Sequence, residues 1–512
     1  MNLTRATRRI ELGDVLAGLA VAFVLIPQSL AYAELAGLPP HVGLYAAMLP
    51  PIAAAFFASS PYLQTGPVAM TSLLTFGALA GLAAPEGADY VALAALLAVV
   101  VGVMRLALGL VRVGWISFLM SHPVLTGFTT AAAILICASQ LPTALGVVEA
   151  EGSLLQRAGW ALVHPGDWEI ASVVLSIVTA LLVFGGRRLH TLFPGVLVAV
   201  VAGLVFSAAS GYGGPVVGSV PRGLPPFSLA LPWSALPQLL FPGAVIALIG
   251  FAEAAAISRT FAAQDRTSWD PDREFISQGV ANLASGISGG FPVGGSFSRS
   301  SVNRVAGGKN RVSGAITGLV VLAFLPFAGL LAALPRAVLG AIVIAAVIKL
   351  ITFRPMLSFI RHSYPQAATA WVTFALTLAL APHIERAILI GIGFAIAVHI
   401  WRELPVLVRS SFKDGALRIE PQGVLFFASA PALSNALLKE LGKHPEAERL
   451  VIDLSRLGRI DYTGALALKD IMADARSAQL AVEFAGVPPQ ATRILLKVLG
   501  PDAIDPNGDS VR

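Results

Sequence analysis

Charge is scarce in this chain. Of 512 residues only 12% are Asp, Glu, Lys or Arg, against 56% apolar. A soluble globular chain carries about 25% charged residues, so an ordinary water-facing surface is excluded. Cysteine is scarcer: Cys137 stands alone in an apolar run, which rules out a disulfide framework. The eight histidines are scattered, and no metal or hydrolase constellation stands out. The net charge of +6 comes from basic residues spread between apolar blocks. They form no compact patch, which argues against a nucleic-acid partner.

What is present is apolar sequence in repeated blocks of roughly 18–25 residues, the length that crosses a bilayer as helix. The first, "LGDVLAGLAVAFVLIPQSLAYA", follows Arg5, Arg8 and Arg9. It is too long for the apolar region of a signal peptide and runs on through Pro27 into the next block. It reads as an uncleaved first helix with a cytoplasmic N-terminus. Arg105 and Arg112, Arg187 and Arg188, Arg259 and Arg266, Lys309 and Arg311, Arg354 and Arg361, and Arg402 and Arg409 close later blocks. The intervening loops carry few basic residues, Arg222 being one exception. Alternating sides gives about 14 segments with both ends in the cytoplasm. The expected architecture is a polytopic α-helical membrane protein followed by a small cytoplasmic domain.

Two segments break the pattern. "SSPYLQTGPVAMTSLLTFGALA" (Ser59–Ala80) begins polar and has Gly66 and Pro67 in its middle. "GGFPVGGSFSRSSVNRVAGGKN" (Gly289–Asn310) has the same build in the other half. Each reads as an extended stretch followed by a short helix, entered from opposite sides, so that the two helix N-termini face each other. Paired interrupted segments are the best sequence pointer to a transporter site at the bilayer midplane. "HPVLTGFTTAAAILI" and "PRAVLGAIVIAAVIK" add a weak echo consistent with an inverted repeat.

Composition changes after Pro405. "GALRIEPQGVLFFASA", "RLVIDLSRLGRI" and "QLAVEFAGV" read as strands, and the stretches between and after them as helices. That alternation predicts a small α/β domain with a largely parallel sheet. The expected division is a cytoplasmic N-terminus at 1–11, a transmembrane region at 12–404 and the α/β domain at 412–505. A flexible tail follows at 506–512. Asp461 and Thr463 are expected to cap the helix that follows them, rather than Thr463 being a phosphorylation site.

Helix N-termini expose unpaired N–H groups and about half a positive charge. Two such ends facing each other make an anion site without any metal. Arg299 sits near the start of the second short helix, with Ser296, Ser298 and Ser300 as donors. It either belongs to the site or snorkels to an interface. Gln28 and Tyr32, spaced i,i+4, share a helix face. Gln28 would bond an anion or a neighbouring helix. Glu253 lies in an apolar run, where an ionised carboxylate is costly. It would couple a proton, bind Na⁺, or pair with Arg299. Glu34 is a second candidate for the coupling role, but near a helix end and next to Gly37-Leu38-Pro39-Pro40 it reads more readily as an interfacial carboxylate.

The motifs "PQSLAYAELAGLPPHVGLYAAMLPP", "TGPVAMTSLL", "DPDREFISQGVANLASGISGGFPVGGSFSRSSVNRVAGGK" and "LVIDLSRLGRIDYTG" occur in this order. In them the chain resembles the sulfate permease (SulP) family of anion transporters with a C-terminal STAS domain. The resemblance covers almost the whole chain and is most specific at SFSRS. It implies 14 segments in two inverted repeats of seven, at about 12–210 and 236–404, forming core and gate domains. It places the anion among Gln28, Tyr32, Val68, Ala69, Phe297, Ser298 and Arg299, with Glu253 at the acidic coupling position. It implies a homodimer with a cytoplasmic STAS domain; the further expectations are a cell inner membrane, a cytoplasmic partner for the STAS domain and no bound cofactor. Three positions depart from the family's pattern: Asp272 where Asn is frequent, Asn310 where Thr is frequent, and Val68 in place of an aromatic. The expected activity is H⁺-coupled symport of a small anion such as sulfate, bicarbonate or fumarate, and no enzymatic reaction. The rivals are a Na⁺-coupled symporter, an uncoupled exchanger or channel, a nucleobase symporter and a membrane-anchored signalling protein. Arg299 argues against a neutral base.

Overall fold

A computed structural model of the chain describes residues 11–500 except 119–120, 148–151, 191–192, 222 and 226. The expected N-terminal anchor at Arg5, Arg8 and Arg9, the exception Arg222 and the tail at 506–512 lie outside the described residues. The chain divides between Gly393 and Phe394 into two compact units.

The first unit opens with α1 (Leu12–Leu35), α2 (Pro40–Phe57), β1 (Gln64–Gly66), α3 (Ala69–Leu79) and α4 (Ala88–Leu110). There follow α5 (His122–Leu145), α6 (Leu154–Val163), α7 (Ile170–Leu189) and α8 (Gly195–Ser210). The second half has α9 (Leu236–Gln264), α10 (Pro271–Ile287), β2 (Gly294–Ser296), α11 (Phe297–Val305) and α12 (Val312–Phe324). It continues through α13 (Arg336–Val347), α14 (Phe353–His362), α15 (Tyr364–Ala379) and α16 (Ile384–Glu403). Among the described residues, eight helical spans are long and apolar enough to cross a membrane.

Setting aside α6 and α14, the rest fall into two sets of seven in the same order, β1–α3 matching β2–α11. The packing repeats accordingly. α4 lies on α10 as α12 lies on α2, α1 on α12 as α9 on α4, and α5 on α15 as α13 on α7. β1 and β2 pair antiparallel, with Gly66 opposite Gly294, which is the relation an inverted repeat requires. One bundle contains α1–α4 and α9–α12, and the other α5, α7, α8 and α13–α15. α1 is the main bridge between them, against α13 and α8.

Local chemistry sets the breaks. Prolines occupy the first turns of α2, α5 and α10, where their missing N–H costs nothing. Asp270 caps α10 by accepting from the N–H groups of Asp272 and Arg273. Two of the family departures have structural roles: Asp272 accepts from Gly114 N at 2.7 Å, and Asn310 donates to Asp14 at 3.0 Å. Arg105 does not end a block at the membrane surface as its sequence position suggested. It is fully buried inside α4, while Arg112 is exposed beyond the helix end.

The second unit holds β3 (Leu407–Lys413), β4 (Ala416–Leu425), α17 (Ala430–Lys443), β5 (Arg449–Asp453) and β6 (Leu457–Ile460). It ends with α18 (Tyr462–Ser477), β7 (Ala481–Ala485) and α19 (Pro489–Leu499). The sheet runs β3-β4-β5-β7, parallel except for β3, with β6 pairing the far end of β4 beyond an irregularity at Gly423/Val424. "RLVIDLSRLGRI", expected as one strand, is two. Asp453 accepts from Ser455 N at 2.9 Å, which turns the chain so that β5 and β6 meet different ends of β4. Leu417, Ile419, Leu450, Ile452 and Leu468 centre its core. Asp461 caps α18 through Gly464 N at 2.7 Å, and Thr463 Oγ1 donates to the same carboxylate oxygen at 2.8 Å.

Candidate functional site

The β1–β2 pair brings the two broken segments together and aims the starts of α3 and α11 at one region. α3 begins at Ala69 with Val68 in the N-cap position and no side-chain cap, so its first-turn N–H groups keep their donor capacity. α11 is capped by Ser296, whose Oγ accepts from Arg299 N at 3.4 Å. Ser300 is taken up structurally, accepting from Gln64 N at 2.9 Å. Ser296 and Ser298 hydroxyls lie 3.3 Å apart.

Arg299 is fully buried. Its Nη1 donates a long bond to Gln28 Oε1 at 3.4 Å. Its Nε and Nη2 have no hydrogen-bond partner, and no described carboxylate approaches within 4.0 Å. Gly66, with φ +152°, leaves room beside it: a Cβ there would lie 3.4 Å from Arg299 Nη2. Gln28 and Tyr32 come from α1, both buried, one turn apart past Pro27. Glu253 arrives on α9. Its Oε2 is inaccessible and unpartnered, and the next residue, Ala254, packs against Gly295 of β2. Gln28, Tyr32, Val68, Ala69, Ser298, Arg299 and Glu253 therefore converge on one region.

Two expected residues differ. The Phe297 side chain is 54% exposed and stacks on Phe261 at 6.1 Å, so its backbone, not its ring, belongs to the start of α11. Glu34 does not reach this region. Its Oε1 lies 3.3 Å from Arg336 Nε at the start of α13, and Arg336 Nη1 lies 3.9 Å from Glu86. This ion pair joins the two bundles at one end. Toward the other end, an apolar groove of about 300 Å³ runs between them. Leu16, Ala20 and Val24 of α1 line it, with Val183, Val196 and, from α11, Val302.

Sequence reasoning missed the supports. Gln278 Nε2 donates to Thr65 Oγ1 of β1 at 2.8 Å. Asn282 grips Val293 from both sides, donating to its carbonyl at 3.1 Å and accepting from its N–H at 2.9 Å. Gln278, Asn282 and Ser285 follow at i, i+4 and i+7 on α10, a polar stripe whose spacing was the available signal.

Two inverted sets of seven segments, crossed by paired half-helices and followed by a separate α/β unit, define a class: a membrane transporter with an appended α/β domain. The chain belongs to the sulfate permease family, whose model matches residues 12–373; a STAS domain model matches 408–506. It is 31% identical to the probable sulfate transporter 4.2 of Arabidopsis thaliana, over 92% of this chain and 75% of that one. A probable sulfate transporter of Mycobacterium tuberculosis is 36% identical over 73% of this chain and 68% of its own. Among solved structures, murine Solute Carrier 26 family member A9, an anion transporter described in the inward-facing state, superposes with a TM-score of 0.87. Identity is 20%, over 97% of this chain and 88% of that one. The transmembrane domain of a cyanobacterial bicarbonate transporter gives 0.64 at 24% identity, over 76% of this chain and 99% of that one.

Proposed function

We propose that this protein is a secondary transporter that carries a small anion by alternating access. The substrate class is a small oxyanion or carboxylate: sulfate, bicarbonate, or a dicarboxylate such as fumarate. The observation that carries this reading is Arg299, a buried cation with two idle nitrogens beside two helix starts. A buried guanidinium left without a carboxylate is costly, and a transient anion would offset that cost. Arg299 and the N–H groups at Ala69 and Ser298 would hold it, with Gln28 orienting the guanidinium and Tyr32 walling the pocket.

Glu253 is assigned the coupling step. Taking up a proton there would offset the anion's charge and lower the cost of moving the loaded bundle against its neighbour. The basic residues Arg112, Lys309, Arg311, Lys349, Arg354 and Arg361 favour placing their end of the bundle in the cytoplasm. The STAS domain would then be cytoplasmic too, with the protein in an inner, plasma-type membrane. The groove between α1 and α7–α8 is the cytoplasmic entrance in this reading, and the Glu34–Arg336 pair closes the outer end. The family resemblance favours a homodimer.

Uptake into proteoliposomes under an inward pH gradient tests the assignment, with radiolabelled sulfate, bicarbonate and fumarate. Arg299→Ala should abolish saturable uptake, and Glu253→Gln should remove the dependence on the gradient. Saturable uptake unchanged in Arg299→Ala removes Arg299 from the site. Full gradient-driven uptake in Glu253→Gln ends the coupling role.

A further inference from the structure

Among the described residues of the membrane unit, Arg105 is the other fully buried arginine. It lies on α4, and each of its three guanidinium nitrogens donates to a main-chain oxygen. Nε donates to Ala247 O at 3.0 Å, Nη2 to Ile246 O at 3.0 Å and Nη1 to Val293 O at 2.9 Å. No described carboxylate pairs with it. Ile246 and Ala247 stand in α9, about two turns ahead of Glu253. Val293 directly precedes Gly294, the first residue of β2, and is already gripped by Asn282. The tie depends on Gly250, where a Cβ would meet Arg105 Nη2 at 2.5 Å and Thr71 Cγ2 of α3 at 3.0 Å. The charge therefore lies beside the first turn of α3.

We propose that Arg105 is a positioning residue for the anion site, locking the helix that carries Glu253 to the segment that carries Arg299, and that its unpaired charge adds to the positive potential felt by the bound anion. This rests on the anion-transport reading above. The two contributions separate. A purely mechanical tie would affect all anions alike. A Coulomb contribution scales with the anion's charge, so it favours divalent over monovalent substrate.

The test is equilibrium binding to the purified full-length protein, with sulfate and fumarate as divalent probes and bicarbonate and nitrate as monovalent ones. Wild type and Arg299→Ala are measured first; if wild type binds none of the four, the transport reading itself fails, and the Arg105 proposal falls with it. Where wild type binds, Arg105→Gln should weaken monovalent binding about threefold and divalent binding about tenfold. Arg105→Lys, which keeps the charge but loses the fork, should weaken both while preserving their ratio. Equal loss for both valences in Arg105→Gln would overturn the electrostatic part, and wild-type affinities in a folded Arg105→Gln would overturn the whole. Should Arg105→Gln fail to fold, Gly250→Ala displaces the guanidinium without removing it. Unchanged anion affinity and turnover in that variant would overturn the positioning role, and lowered affinity with the wild-type valence ratio would support it.

Discussion

Arg299 and Gly66 illustrate how little space the candidate site leaves. Gly66 has a φ of +152°, and a Cβ added there would come within 3.4 Å of the Arg299 fork. Gly66→Ala would strain the backbone by about 1 kcal/mol or more and press a methyl group toward the guanidinium. The expected outcome is a modest loss of thermal stability with at least about a tenfold rise in the uptake KM for the anion. Wild-type KM in a folded Gly66→Ala would show that the fork has room to move. At this scale the sequence was informative wherever a residue was out of character with its surroundings. A glycine pair, a proline, serines and an arginine in an apolar chain marked α11. Gln28, Tyr32 and Glu253 stood out for the same reason. Arg105 did not, because an arginine five residues before a helix end looks like a flanking charge; only the packing of α4 against α9 shows that it points inward.

Elements add what single residues cannot. Without the β1–β2 pairing, two short helices in distant halves of the chain would have no reason to share a focus. The polar stripe of α10 holds that pairing in place from behind, through Gln278 and Asn282. α1 carries two of the site residues, Gln28 and Tyr32, and the contacts that would change in the proposed alternating access. At one end its Glu34 meets Arg336; toward the other it lines the groove. The pair is partly exposed, so it is worth at most about 1 kcal/mol, or roughly a fivefold shift between two states. Arg336→Gln should therefore shift the population away from the groove-open state. A cysteine at position 24, in a Cys137→Ala background, should react with a water-soluble maleimide up to about fivefold more slowly when Arg336→Gln is added. Unchanged or faster labelling would mean that the ion pair does not hold that end closed.

For the whole molecule, the site residues all belong to the unit that ends near Gly393, and the STAS unit has its own sheet and core. A chain truncated after Glu403 is expected to bind the anion with affinity within about threefold of the full chain. Loss of binding in a truncated protein that stays monodisperse and folded would place part of the binding machinery under control of the tail. The sequence by itself determined the apolar span pattern, the α/β tail and the two interrupted segments, because these follow from local composition and from periods of two and 3.6 residues. It also marked the residues whose burial would be costly. The tertiary structure alone decided which of those residues meet. It joined Glu34 to Arg336 instead of to the site, turned the Phe297 ring outward, divided one expected strand into β5 and β6, and drew Arg105 into the interior. The turn between β5 and β6 is local, at Asp453 and Ser455; the other three outcomes depend on contacts between separate segments of the chain, and no local pattern encodes where a distant carbonyl or carboxylate will come to lie.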